Sequence, residues 1–459
     1  NDIVNDVVKI RPADPYLHLA AAIKGSSESA NTIAGVVARE ISNGRATPAL
    51  EVEVVTAQGS FAASTSIGPY DADEQRYSGL GMRQAVEFVH RELASRLVGL
   101  DVLDQEALDL ALNKKHDDDD EPMANTVLAA SVACCKAGAK HAGLSLHEHV
   151  ASLASSSGGG GDSGALLPMP HVSVVNGGKC GGTLIFEDLS VVPVGAASLD
   201  EALEAVCEVT RQFPLVCLEK EKQCRADGLF GGYTLSDATP SEALELLQEA
   251  MRRAKPDDLN FFKVGLDAGC STYTVKETLV APPEPADDPP AEDAPDPPRE
   301  EETIIRYDFG KFRPVPPPKK ATDPPPEPVL SGALDAVKVF VDLVKSFPCI
   351  ITLEDAFDGE DIEAHTKLKE HFDLELLDDE EEEEDAPPKA KFVPVGGEED
   401  CQMQTAGDFI CASARAMEAF DEAKTQNTLV LTLAKSRTVS GGISLAEAAK
   451  ALGWGLVVA

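Results

Sequence analysis

Apolar and acidic residues alternate through Leu50-Glu51-Val52-Glu53-Val54, directly after the turn-forming cluster Ser42-Asn43-Gly44-Arg45-Ala46-Thr47-Pro48. A period of two after Asn, Gly and Pro predicts a half-buried strand over 49–56, with a second over 60–63. The period then lengthens. Residues at helical spacing follow Gly79-Leu80-Gly81-Met82 and run to Leu97, where Gly99 is placed to terminate the helix. Ala124-Asn125-Thr126 opens a further helix over 127–139, built of small residues that let a helix pack closely. These elements predict an α+β unit over residues 34–152.

Residues 155–163 are Gly/Ser-rich and read as a flexible connection. From Leu167 the pattern changes to short apolar runs alternating with amphipathic helices. Runs at 191–194, 262–266, 350–353 and 428–433 read as buried parallel strands, with helices such as 241–255 and 332–345 between them. Such alternation predicts a (β/α) barrel of the TIM type over 165–459, behind the α+β domain, and an α/β chain overall. Two insertions interrupt it. Residues 282–328 are Pro- and acid-rich and read as an extended surface excursion, and 378–391 as an acidic loop. Loop-closure entropy grows slowly with length, so a barrel tolerates both.

Composition narrows the partners. The 459 residues exceed one ordinary domain, and 43% apolar content supports a large core. A net charge of −39 repels nucleic acid and anionic membranes, so neither is expected as a partner. No apolar run reaches the roughly 18 residues of a membrane helix, and no signal peptide is visible. The ten cysteines have no CxxC spacing, which argues against zinc and for buried free thiols in a reducing compartment. The chain opens on Asn1 rather than Met, so a missing start is expected.

Barrel chemistry sits at the carboxyl ends of strands. Three acids follow three predicted strands in order: Asp267 after Lys263-Val264-Gly265-Leu266, Glu354 after Ile351-Thr352-Leu353, and Glu398 or Glu399 after Phe392-Val393-Pro394-Val395. Hard oxygen ligands from separate strands suit Mg²⁺.

The same residues carry a resemblance to the enolase family, the lyases that interconvert 2-phosphoglycerate and phosphoenolpyruvate. The opening strand, Met123-Ala124-Asn125, the run Ala133-Cys134-Cys135-Lys136-Ala137-Gly138-Ala139, Asn176-Gly177-Gly178, Gly265-Leu266-Asp267-Ala268 and Leu353-Glu354-Asp355-Ala356-Phe357-Asp358 keep the family's order. The resemblance implies Mg²⁺ held by Asp267, Glu354 and Glu398. It also implies a β-elimination of water, in which a base removes a proton beside a carboxylate and an acid protonates the departing hydroxide. It further implies a homodimer.

Several positions depart from the family. Thr432 stands at the lysine position and cannot serve as the base; Lys435 is the nearest lysine. Asp227, in Arg225-Ala226-Asp227-Gly228-Leu229-Phe230, stands in for a catalytic glutamate and is one methylene shorter. Cys180 replaces the active-site histidine, and Glu187-Asp188 a Gln-Glu pair. Ser64-Thr65-Ser66-Ile67-Gly68 is a shortened version of the loop that closes on substrate, with Ser64 its first residue. Gly453-Trp454-Gly455-Leu456-Val457-Val458-Ala459 matches a late strand, and closing the barrel needs a further strand or another cover for the exposed edge.

Residues 1–33 form a separate segment. Arg11, Pro12, Pro15, Leu19 and Ala20 resemble the dimerisation/docking module of kinase regulatory subunits, which is common in ciliary and scaffolded proteins. With the changed substrate-facing residues, this points to the divergent fourth type of the family. One expectation is weakened or lost turnover in a cytoplasmic protein. The other is a non-catalytic structural component of a large assembly such as the ciliary axoneme.

Overall fold

The computed structural model describes residues 31–44, 46–65, 76–114, 124–156, 167–228, 230–236, 238–280, 301–311, 330–378, 404–407, 414–423 and 425–458. The docking-like segment before Asn31 lies outside them, as do residues 66–68 of the shortened loop and the acidic loop beyond Asp378.

The amino-terminal domain is a three-stranded antiparallel sheet, β1 (Ile33–Ser42), β2 (Pro48–Thr56) and β3 (Gly59–Thr65), in the order β1-β2-β3. The alternation in β2 behaves as predicted: Leu50, Val52 and Val54 are buried, and Glu51 and Glu53 face the opposite side, where both pair with Arg39 of β1. β1 is an addition to the sequence reading. A register shift between Ile33 and Gly35 breaks its period of two, which hid it. Helix Ala124–Ala142 lies on this sheet, with Ala129, Ala130, Ala133, Cys134 and Ala137 at the contact and essentially no exposed surface among them. Helical turns over 83–97, including a π-helical turn at Val89–Leu93, close the same core.

The second domain is the TIM barrel. Its nine-stranded sheet has the order β14-β13-β12-β11-β8-β5-β4-β7-β6. These are β4 (Val172–Asn176), β5 (Asp188–Val192), β6 (Cys224–Arg225), β7 (Tyr233–Leu235), β8 (Lys263–Asp267), β11 (Ile350–Glu354), β12 (Gln404–Gly407), β13 (Thr428–Leu431) and β14 (Gly455–Val458). β8 and β11 to β14 run parallel. Of the run at 191–194, expected as a parallel strand, Val191 and Val192 end β5, which runs antiparallel to both β4 and β8. Helices Leu199–Glu219, Pro240–Ala254, Ala333–Ser346 and Ile362–Asp378 surround it. Each of the first two starts on a side-chain cap, Ser198 and Thr239, the latter in a full capping box with Glu242.

The 282–328 insertion is not wholly a surface excursion. β10 (Glu301–Tyr307) pairs antiparallel with β9 (Thr274–Val280). Tyr307, at its end, is fully buried and donates its hydroxyl to Asp361 Oδ2 at 2.8 Å. At the other side of the barrel β14 is an edge strand, with Leu456 and Val458 exposed. A mostly apolar cleft of about 1050 Å³ lies there, lined by Val150, Leu431, Ile443, Trp454 and Val458 among others. No helix among the described residues is long and apolar enough to cross a membrane.

Candidate active site

The ends of five strands form one rim. Asn176 of β4 is the register partner of Asp188 of β5, Asp188 of Asp267 of β8, Asp267 of Glu354 of β11, and Glu354 of Ala406 of β12. Backbone bonds carry the ladder one residue past the strands. Gly177 N–H donates to Glu187 O at 3.0 Å, Glu187 N–H to Asp267 O at 2.8 Å, Ala268 N–H to Glu354 O at 2.8 Å, and Asp355 N–H to Ala406 O at 3.0 Å. The rim is therefore held by main chain, and the acids it carries cannot slide relative to one another without breaking it.

Asp267 and Glu354 are neighbours at this rim. Both are half-buried, and Asp267 Oδ1 accepts the Gly269 N–H at 3.0 Å. Carboxylate oxygens on adjacent strands fit Mg²⁺, whose ligands are hard and oxygen-rich. Among the described residues no group of three or more His, Cys, Asp or Glu side chains is gathered to hold a metal. Glu398 and Glu399, and the strand at 392–395 expected to carry them, lie outside the described residues. The strand beside β11 is Gln404–Gly407, a polar run that apolar patterning passes over, and the next residue in the sequence is Asp408.

Asn176 is the hub of the left side of the rim. Fully buried, it donates its amide to Asp188 Oδ1 at 2.8 Å and Ser173 Oγ at 3.0 Å, and accepts from Gly232 N–H at 3.2 Å and Phe230 N–H at 3.3 Å. Ser173 Oγ also donates to Asp188 Oδ1 at 2.5 Å. Burial pushes the Asp188 carboxyl up to about 7, against the pull of these two donors. Asp227 sits next door: its Oδ1 accepts the Thr234 hydroxyl at 2.5 Å, and Thr234 is the register partner of Asn176. Its other oxygen faces Arg225 Nε at 3.2 Å on the open side.

Glu187 is nearly inaccessible. Lys179 Nζ lies 2.8 Å from its Oε1, the Thr272 hydroxyl donates to the same oxygen at 2.9 Å, and Cys180 Sγ donates to Oε2 at 3.8 Å. The backbone leaves it no spare room. Gly269 has φ +55, and a Cβ there would lie 2.2 Å from Glu187 Cδ. Burial pulls the Lys179 ammonium down, but its bond to and attraction by Glu187 outweigh that and leave it above the ordinary lysine value. The Cys180 thiol is driven up to about 12, first by burial and then by Glu187. Cys180 is thus a buried neutral donor, not a nucleophile.

Two further expected residues lie on other elements. Ser64 is exposed on β3, opposite Glu51, and among the described residues no hydrogen bond joins it to the rim. Lys435 is half-buried in the single turn Leu433–Ser436 beyond β13, its N–H bonded to Thr432 O at 3.0 Å. Thr432 immediately follows β13 and caps that turn. Sequence reasoning named Asp188 only as half of a replaced pair and gave Lys179 no role. Strand direction hid the level at which Asp188 sits: an antiparallel strand brings its first residue to the rim where parallel strands bring their last. Lys179 sits in the Asn-Gly-Gly segment, but only the fold sets it on Glu187.

Residues 33–150 match the family described as "Enolase, N-terminal domain", and residues 164–280 the family described as "Enolase, C-terminal TIM barrel domain". Enolase of Mastigamoeba balamuthi is 28% identical over 450 residues, covering 93% of this chain and 85% of that protein. Cytosolic enolase 3 of Arabidopsis thaliana is 26% identical over 473 residues, covering 99% and 83%. Enolase of Eimeria tenella is 29% identical over 449 residues, covering 93% and 85%.

Proposed function

The chain belongs to the enolase family, and from that premise we propose that it is a Mg²⁺-dependent lyase interconverting 2-phosphoglycerate and phosphoenolpyruvate with much reduced turnover. The observation that carries this reading is the row Asn176–Asp188–Asp267–Glu354 at one rim, intact while the base position is not. Asp267 and Glu354 would hold the ion, with a third carboxylate from the chain around β12, where Glu398 precedes the strand and Asp408 follows it. When bound, Mg²⁺ supplies charge stabilisation for a substrate carboxylate that gains electron density.

The chain's own groups divide the remaining work. Asp227 and Asp188 flank Asn176, and we assign to this pair the protonation of a departing hydroxide, a role that the raised pKa of Asp188 supports. Lys179 is a cation at the rim and would serve as a counter-charge for an anionic substrate, with Glu187 and Cys180 fixing its position. Lys435 is the base we assign. It lies four residues beyond Leu431, the last residue of β13, and a displacement of about 1 Å can cost on the order of 100-fold in rate, so slow turnover follows. Ser64 would join the substrate contacts only through the loop that follows it.

The test is direct. Purified chain with Mg²⁺ and 2-phosphoglycerate should form phosphoenolpyruvate slowly, read by ultraviolet absorbance, and Lys435→Ala should abolish it. No turnover at any enzyme concentration would favour the second reading, a non-catalytic enolase-fold component of an assembly. The changes at Cys180, Asp227 and Thr432 support that reading, since they fall on the substrate-facing positions. A homodimer, and a place in the cytoplasm or on an axoneme, belong to the same proposal and rest on the family and on the docking-like sequence.

A further inference from the structure

Helix Leu199–Glu219 ends at Lys220, and Glu221 then takes the left-handed conformation with φ 56°. The Lys222 N–H donates to the Cys217 carbonyl at 2.8 Å, which turns the chain back over the last helical turn. Two residues later Cys224 opens β6. The reversal returns Cys224 to the core cluster that holds Cys217, with the two thiols close enough to influence one another. Cys217 is fully buried in the barrel core, while Cys224 is half-buried and packs on the same cluster. Tyr233, 5.6 Å from Phe213 between ring centres, stands beside both sulfurs.

We propose that Cys217 and Cys224 are a redox-responsive dithiol that closes to an intramolecular disulfide when the protein meets a peroxide. Thiols this close need little movement to reach disulfide geometry. Their order of reaction follows from burial. Cys217 is pushed up to about 12, by burial first and then by Cys224, so the more accessible Cys224 reacts first. Its thiolate attacks one peroxide oxygen and the O–O bond breaks. Cys224 becomes a sulfenic acid, and the released hydroxide takes up the proton the thiol lost. Cys217 sulfur then attacks Cys224 sulfur. The S–S bond forms, the S–O bond breaks, and hydroxide leaves with the Cys217 proton as water. The two sulfurs give up two electrons, and one peroxide becomes two waters.

Other described thiols lack this arrangement. Cys134 and Cys135 are consecutive on one helix, where side chains diverge by roughly 100°. Cys207 is exposed, and Cys180 donates to Glu187. Asp227 lies three residues beyond Cys224, so closure would pin the foot of the hairpin that carries it. The dithiol chemistry itself stands apart from the reading of the active site.

The experiment uses the full chain. It is exposed to hydrogen peroxide in the native state, its free thiols are alkylated on unfolding, and it is digested with trypsin. Cleavage at Lys220 and Lys222 separates the two cysteines, so a closed disulfide appears as two joined peptides, two hydrogens lighter than their sum, that part with dithiothreitol. In Cys217→Ser the same treatment should leave Cys224 as a sulfenic acid, trapped by dimedone at least tenfold more than in the unmodified chain. Both thiols still alkylated after peroxide, or Cys224 joined to Cys207 or to a second chain, would overturn the proposal. The joined-peptide readout needs no variant, so it holds even where Cys217→Ser fails to fold.

Discussion

Asp267 and Glu354 are register partners at the carboxyl ends of adjacent parallel strands, β8 and β11. Adjacent strands lie about 4.8 Å apart, so two carboxylates at one level of the ladder can share an ion. Alanine at either position removes a hard ligand. Mg²⁺ should raise the melting temperature of the unmodified chain and of Glu208→Ala, a partly exposed control on an outer helix, but not of Asp267→Ala or Glu354→Ala. Equal metal-induced shifts in all four proteins would remove the metal assignment.

Thr432 occupies the first position after β13, and a threonine has no basic nitrogen. Thr432→Lys places an amine at the strand end itself. Turnover of 2-phosphoglycerate should rise at least tenfold (about 1.4 kcal/mol of barrier) over the unmodified chain. A rate unchanged by this substitution, measured at saturating Mg²⁺, would mean that the missing lysine is not what limits the reaction.

Asp109 joins the two domains. From helix Gln105–Leu112 its carboxylate accepts the Ser131 hydroxyl at 2.6 Å, the Gln105 amide at 3.0 Å and, from the barrel, the Ser440 N–H at 2.9 Å. Ser131 Oγ in turn accepts the Val439 N–H at 3.0 Å. The acid thus completes the first turn of helix Val439–Ala451, where a negative charge also suits the helix dipole. Asp109→Ala takes the acceptor from the buried Ser131 hydroxyl and from the Ser440 N–H, while the Gln105 amide keeps Ser131, and should cost about 2–4 kcal/mol in urea unfolding; Asp109→Asn should cost about half as much. A loss under about 0.5 kcal/mol for the alanine variant would show that the clamp does not bind the domains together.

His365 is buried against Phe357, 5.3 Å between ring centres, and its Nε2 has no hydrogen-bond partner. Burial lowers its pKa to about 4, against the attraction of Asp361. In the unfolded chain it titrates near 6.5. Between these values the unfolded state binds the extra proton, so this contribution to stability is complete above pH 6.5 and is lost as pH falls towards 4. His365 contributes a slope of about 1.4 kcal/mol per pH unit across that window, opposed there by Asp188, whose raised pKa favours the folded state at the acid end. His365→Phe should lower the measured slope by that amount relative to the unmodified chain in urea unfolding at stepped pH, and an equal slope in the two proteins would place the titrating group elsewhere.

Much of the fold was legible in local pattern. The alternation at Leu50–Val54 and the small residues of the 127–139 region each report one face packed on a neighbour, and the structure seats both on the amino-terminal core. β1 escaped because its bulge breaks the period. β12 escaped because Gln404-Thr405-Ala406-Gly407 has no apolar run; its place is set by pairing with β11. Buried Tyr307 escaped because its strand lies within a Pro- and acid-rich stretch, where composition outweighed a short strand.

For the site, the amino-acid sequence by itself determined which groups are present and which are absent: acids at 267 and 354, Asn176, and a threonine at 432. Residue identity and order along a strand carry that much, because a strand's last residue is known once the strand is. Only the tertiary structure decided that Asn176, Asp188, Asp267 and Glu354 share one rim, since this depends on β5 running against its neighbours. It also decided that Lys179 is tied to Glu187 and that Asp188 holds its proton to about pH 7. Charge state and strand direction are set by surroundings drawn from distant parts of the chain, and no local pattern encodes them.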